Sequence, residues 1–189
     1  MTHPKLLGIS GSLRSGSFST LLLETLAEAL SGRADLNVLR LDDVPLYNQD
    51  LDAATPPAGV AALRSRIGAA DAVVIATPEF NYGVPGVLKN ALDWASRPYG
   101  ESTLIGKPVL TISSSPAFTG GVRAQAQLNE TLIAIGASLV IRPQLVVGSV
   151  HEKVQEGRLV DSGTLDFLLA GIDDLIARSQ REAQIKKVA

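Results

Sequence analysis

The chain of 189 residues contains no cysteine. That absence excludes disulfides, thiol nucleophiles and thiolate metal sites. Histidine is nearly as scarce: His3 and His151 stand far apart, with no partner at ligand spacing, so no zinc centre is expected. Aromatic residues make up only 4% of the chain. Neither sign of charge dominates. With 17 basic and 19 acidic residues the formal net charge is −2, and the basic residues are scattered, which leaves no electrostatic footprint for nucleic acid. No apolar run approaches the roughly 20 residues that cross a bilayer, and Met1 to Ser10 lacks the apolar core of a signal peptide. The expectation is a cytoplasmic protein without a membrane or nucleic-acid partner.

What is present is a globular composition, 46% hydrophobic and 19% charged, in a length that suits one domain over residues 1–189 with a substantial core. Short β-rich runs alternate with longer helical patterns. Strands are predicted at Lys5 to Ser10, Asp35 to Arg40, Ala72 to Ala76, Pro108 to Ser113, and from Ser138 to Val147 with a break at Pro143. Helices are predicted at Ser17 to Leu30, Pro56 to Ala70, Pro85 to Ser96, Gly121 to Ile135 and Thr164 to Arg181. Runs such as AVVIA and PVLTI read as buried on both faces, which points to a doubly wound parallel α/β sheet with right-handed crossovers. The longest irregular stretch is Leu41 to Thr55, a candidate rim or interface. The tail REAQIKKVA, from about residue 182, is expected to fray.

Ligands of such sheets bind beyond the carboxyl ends of the strands. The segment GSLRSGSFST follows the first strand and offers hydroxyls from Ser12, Ser17 and Ser19, a guanidinium from Arg14, and the N–H groups of a helix start. Gly11 and Gly16 have the spacing of a nucleoside-triphosphate loop, but Ser17 occupies the position that needs lysine. Gly8, Gly11 and Gly16 do not match the dinucleotide fingerprint either. A single phosphomonoester fits better; a serine-rich helix cap with a surface arginine fits the same residues. Two more loops converge on that end of the sheet. TPEFNYGVPG follows the third strand, and SSSPAFTGG follows the fourth.

Together GSLRSGSFST, TPEFNYGVPGVLKNALDW and SSSPAFTGGVRAQ, with DSGTLDFL near the C-terminus, resemble the NAD(P)H-dependent FMN reductase family, in particular its bacterial quinone and chromate reductase branch. The resemblance implies a flavodoxin-like fold of five parallel strands in order 2-1-3-4-5. It implies that Ser12, Arg14, Ser17 and Ser19 hold the FMN phosphate, Ser19 standing where members often carry asparagine. Pro78, Glu79, Phe80, Asn81 and Tyr82 match the segment along the flavin ring, and Ser114 and Ser115 match the loop at its other edge. Members often have glycine where this chain has Ala117. The implied activity is transfer of two electrons from NAD(P)H through bound FMN to quinones, flavins or similar small-molecule electron acceptors by a ping-pong mechanism. No metal and no dedicated catalytic side chain are implied, and the assembly is a homodimer or homotetramer. A flavodoxin-like electron carrier without NAD(P)H activity is the alternative. On this reading Phe80, Tyr82 and Trp94 lie near one edge of the flavin and need burial by a second copy. Glu79 is expected to turn aside to a helix end or a neighbouring subunit, and Lys89 and Asp93 to form a surface pair.

Overall fold

The computed structural model describes residues 3–188. Strands β1 (Lys5–Ser10), β2 (Asp35–Leu39), β3 (Ala72–Thr77) and β4 (Pro108–Ser114) fall within one residue of the expected runs. The fifth position is shared by β5 (Ser138–Leu139) and β6 (Leu145–Val147), both parallel to β4. The strands are all parallel, as their apolar runs predict, and their order is β2-β1-β3-β4-β5, as the family resemblance implies.

From Val109 to Ile112 β4 advances three residues, while its neighbour advances six, from Leu139 to Leu145. The surplus contains Pro143, which has no N–H for a ladder. Gln125, 1% exposed, covers the gap by donating from Nε2 to the Thr111 carbonyl at 2.9 Å.

Helices α1 (Phe18–Ala29), α2 (Ala58–Ala69), α3 (Gly86–Ala95), α4 (Val122–Ile135) and α5 (Ser162–Val188) cover both faces. Alternation along the strands divides the core. Val74 and Ala76 of β3 pack with Leu22 and Leu26 of α1 and Leu168 and Ile172 of α5, whereas Val73 and Ile75 pack with Leu63, Leu88 and Leu128 of α2, α3 and α4. At the end of β1 the backbone must pass close to β3. The Gly11 N–H donates to the Ala76 carbonyl at 2.8 Å, and a Cβ on Gly11 would lie 3.1 Å from that oxygen.

Three differences from the expected pattern have local causes. Trp94 is fully buried rather than at a rim: the stretch after β2 folds over α3, Tyr47 meets the indole edge-on at 4.9 Å, and the indole N–H donates to the Pro45 carbonyl at 2.8 Å. Helix α5 continues to Val188, past the expected end at Arg181, through strong helix formers with no glycine or proline and with an Arg178–Glu182 pair at 2.9 Å. A small antiparallel hairpin, β7 (Val154–Gln155) with β8 (Arg158–Leu159), was not expected. It turns on Glu156 and Gly157, both at positive φ (47° and 77°). The Lys89–Asp93 pair is present, at 2.6 Å.

Candidate functional site

The loops after β1, β3 and β4 enclose a cavity of about 300 Å³, lined by residues of 12–19, 78–80 and 114–116. Two larger open grooves, about 660 and 620 Å³, lie at the opposite end, beside Lys5 and Asp35 and beside Pro4 and Pro108. The smaller cavity is the better candidate, because it sits at the carboxyl ends of the strands and gathers the polar loops.

The β1–α1 loop is built to present donors. Ser17 is the N-cap of α1, yet its side chain makes no capping bond, and the first turn holds no acidic residue to satisfy the positive end of the helix. Ser12 Oγ accepts the N–H of Arg14 at 3.3 Å, which leaves the hydroxyl proton free to donate. Ser115 Oγ does the same for the N–H of Ala117 at 3.1 Å. The Arg14 side chain lies over the Phe18 ring, 5.6 Å from its centre, and among the described residues no carboxylate pairs with it. Ser10 and Thr20 join hydroxyls at 2.7 Å behind the loop and fix α1 to the end of β1. Ser19 Oγ and Ser114 Oγ are buried and find no hydrogen-bond partner in the protein.

The β3–α3 loop is a tight turn. Phe80 and Gly83 exchange both backbone hydrogen bonds, at 3.1 and 2.9 Å, so Asn81 and Tyr82 form a two-residue turn with φ of 50° and 63°. Asparagine tolerates that conformation; tyrosine rarely adopts it, and strain of this kind gathers at functional sites. Helix α4 holds the turn from outside. Glu79 Oε2 accepts the N–H groups of Arg123 and Ala124 at 3.0 and 3.2 Å, and Arg123 lies 4.3 Å from the centre of the Tyr82 ring. One turn further along α4, Gln127 Oε1 accepts the N–H of Val84 at 2.7 Å. Glu79 therefore turns aside to a helix end, one of its two expected destinations.

Of the eleven residues singled out in the sequence, nine line the cavity: Ser12, Arg14, Ser17, Ser19, Pro78, Glu79, Phe80, Ser114 and Ser115. Asn81 and Tyr82 do not; they form the exposed tip of the turn beside it. Phe18 and Pro116 also line the wall, and their positions inside the serine-rich segments were the only signal for them. Gln127 had no sequence signal, because it acts on a residue 43 positions away.

A phosphomonoester joined to a planar ring suits this wall. One end carries hydroxyls, a guanidinium and a helix N-terminus, and the apolar remainder comes from Phe18, Pro78, Phe80 and Pro116. Of the three buried hydroxyls without a partner among the described residues, those of Ser19 and Ser114 lie in this wall, and that of Thr103 lies elsewhere. FMN has this chemistry, and the residues present fit it.

The family model described as NADPH-dependent FMN reductase matches residues 4–152. A quinone reductase of Escherichia coli (strain K12) is 43% identical over 162 residues, spanning 84% of this chain and 86% of that one. An NAD(P)H-dependent FMN reductase of Pseudomonas aeruginosa is 40% identical over 165 residues, spanning 87% and 89%. Among solved structures, the flavoenzyme NAD(P)H:(acceptor) oxidoreductase of Paracoccus denitrificans aligns with a TM-score of 0.85 at 35% identity, covering 94% of this chain and 98% of that one.

Proposed function

The chain belongs to the NADPH-dependent FMN reductase family, and from that premise we propose that it binds FMN between the loops after β1, β3 and β4, takes electrons from NAD(P)H and reduces small acceptors of the quinone type. The observation that carries this placement is the pair of buried, partnerless hydroxyls of Ser19 and Ser114 in the wall of one cavity. When bound, FMN supplies the redox chemistry, accepting hydride from the nicotinamide and passing two electrons to the acceptor. Everything else is binding and orientation by the chain.

Ser12, Ser17, Ser19 and Arg14 hold the phosphate, with the N-terminus of α1 behind them. Phe18, Pro78, Phe80 and Pro116 flank the ring system with apolar surface, and Ser114 and Ser115 offer donors at its far edge. In the turn, the N–H groups of Phe80 and Gly83 are consumed by each other's carbonyls, whereas those of Asn81 and Tyr82 bond to no described residue. These two N–H groups are the donors the turn has to offer, fixed dipoles suited to negative charge on a reduced ring. Glu79, the one acidic side chain in the wall, has its carboxylate committed to α4. The site thus has no dedicated acid or base. Nicotinamide and acceptor take turns at one open mouth, which gives ping-pong kinetics. The proposed compartment is the cytoplasm, where NAD(P)H is supplied, and the proposed assembly is a homodimer or a pair of dimers.

The test is direct. Purified protein supplied with FMN should be yellow, should bleach on anaerobic addition of NADPH, and should recover its colour on addition of a benzoquinone. A yellow protein that NAD(P)H does not reduce would identify an electron carrier instead, and a protein that takes up no FMN would overturn the whole assignment.

A further inference from the structure

The Leu13–Arg14 peptide, in the middle of the β1–α1 loop, is held from both sides. Its carbonyl oxygen accepts from Arg40 Nη2 at 2.7 Å, and its N–H donates to Ser12 Oγ at 3.3 Å. The C=O and N–H of a trans peptide point in opposite directions, so fixing one fixes the other. Ser12 is buried in the cavity wall, while Leu13 and Arg40 are not part of it. Arg40 follows the last residue of β2, and Asp42 sets the direction of its guanidinium through bonds of 3.0 Å from Nε and 3.3 Å from Nη2. A continuous chain of contacts therefore runs from Asp42 through Arg40 to the Leu13 carbonyl, across the peptide to the Arg14 N–H, and on to the hydroxyl of Ser12.

We propose that Arg40 is a positioning residue for the phosphate end of the cavity: it holds the Leu13 carbonyl outward, so that the loop turns N–H and hydroxyl donors, and no carbonyl oxygen, toward a phosphomonoester. The inference rests on the FMN reading. Without Arg40 only the 3.3 Å bond from the Arg14 N–H to Ser12 Oγ resists rotation of the peptide. A rotated peptide brings the partial negative charge of its carbonyl toward the phosphate, and it removes the N–H that orients the Ser12 hydroxyl for donation. Arg40 does this without touching the ligand. It is also only partly buried, and it makes its bond through a planar fork that a neighbouring carboxylate can aim.

The experiment compares FMN and riboflavin, which share the ring but differ in the phosphate. Dissociation constants for both are measured by flavin fluorescence with the apoprotein of the wild type, Arg40→Ala, Arg40→Lys and Asp42→Asn. Arg40→Ala should weaken FMN about tenfold, the size expected for one hydrogen bond in a charged setting, and leave riboflavin unchanged. Arg40→Lys, which keeps a donor and the charge, should recover part of the loss. Asp42→Asn separates positioning from simple charge. If Arg40 acts by orientation, loosening its aim weakens FMN; if it acts as a free cation, removing the adjacent carboxylate tightens FMN. Equal losses for both flavins in Arg40→Ala, no loss for either, or tighter FMN in Asp42→Asn each overturns the positioning role. A wild type that prefers FMN no more than riboflavin overturns the phosphate site itself, which is a different and recognisable failure.

Discussion

Ser19 and Ser114 each bury a hydroxyl that no protein group satisfies, and both hydroxyls belong to the wall of the same cavity. Ser19 comes from the first turn of α1 and Ser114 from the last residue of β4; they meet because β1 and β4 are the two neighbours of β3. A buried polar group without a partner costs about 1–3 kcal/mol, a cost that a ligand with matching groups removes.

Replacing either serine by alanine should therefore move apoprotein stability and FMN binding in opposite senses. Ser19→Ala or Ser114→Ala should raise the thermal stability of the apoprotein, by up to about 1 kcal/mol, because an unsatisfied group is replaced by an apolar one. Each should weaken FMN binding. Thermal unfolding with and without FMN measures both effects, and a loss of apoprotein stability would argue that the hydroxyls are satisfied without ligand.

Arg14 is exposed and makes no ion pair among the described residues, so its removal should barely affect folding. Loss of a charge-assisted contact to phosphate is worth roughly 1.5–3 kcal/mol, or about one to two decades of affinity. Titration of Arg14→Ala should show this for FMN and not for riboflavin. An unchanged FMN dissociation constant would reduce Arg14 to a loop charge.

Glu79 ties the turn at 78–83 to α4 through two N–H groups and an ion pair to Arg123 at 3.6 Å, and its own side chain is only 11% exposed. Glu79→Ala should cost about 1–2 kcal/mol in urea unfolding, since it strips a carboxylate from a helix N-terminus. Glu79→Gln keeps an acceptor and should lose less. If the two variants are equally destabilised, a neutral acceptor recovers nothing and the negative charge at the helix N-terminus carries the effect.

At the start of α5, Asp161 Oδ1 accepts the N–H of Thr164 at 2.8 Å, and Lys153 lies 3.5 Å away. Hydrogen bonding from Thr164, followed by the charge of Lys153, holds the Asp161 carboxyl below its ordinary pKa of 3.8. The folded state thus favours the ionised form. That contribution is present above about pH 4 and is lost as the pH falls through the lower folded value. Asp161→Asn should be less stable than wild type at neutral pH, and the gap should close in acid. A gap that stays constant down to about pH 3 would show that the carboxylate's ionisation contributes nothing.

Phe80, Tyr82 and Phe118 are 61%, 73% and 88% exposed on the loops that form the cavity. In a chain this poor in aromatic residues, such a gathering favours a closed two-fold assembly with the flavin near the boundary. Sedimentation at micromolar concentration should report a dimer or larger, with FMN retention falling on dissociation. A monomer that holds FMN and is reduced by NADPH would show that these rings need no partner.

The parallel sheet was readable from the chain alone because its signals are local. Short β-branched apolar runs such as AVVIA, alternating with longer helical patterns, read as parallel strands buried on both faces, and the polar loops after β1, β3 and β4 then lie at one end of the sheet. Nine of the eleven residues singled out in the sequence line the cavity that these loops enclose. The sequence did not specify how distant segments meet. Trp94 reads from its helix as a core or interface residue, and the stretch after β2, folding across it with Pro45 accepting its N–H, makes it core. Arg40 looks like a charge at the end of a strand, and Gln127 like a solvated helix residue. Only the packed fold brings Arg40 to the Leu13 carbonyl and Gln127 to the Val84 N–H. Those contacts depend on which elements the strand order makes neighbours and on where α4 packs beside the β3–α3 turn. Apolar periodicity within a segment determines which face is buried; it carries no information about which polar partner waits on the neighbouring element.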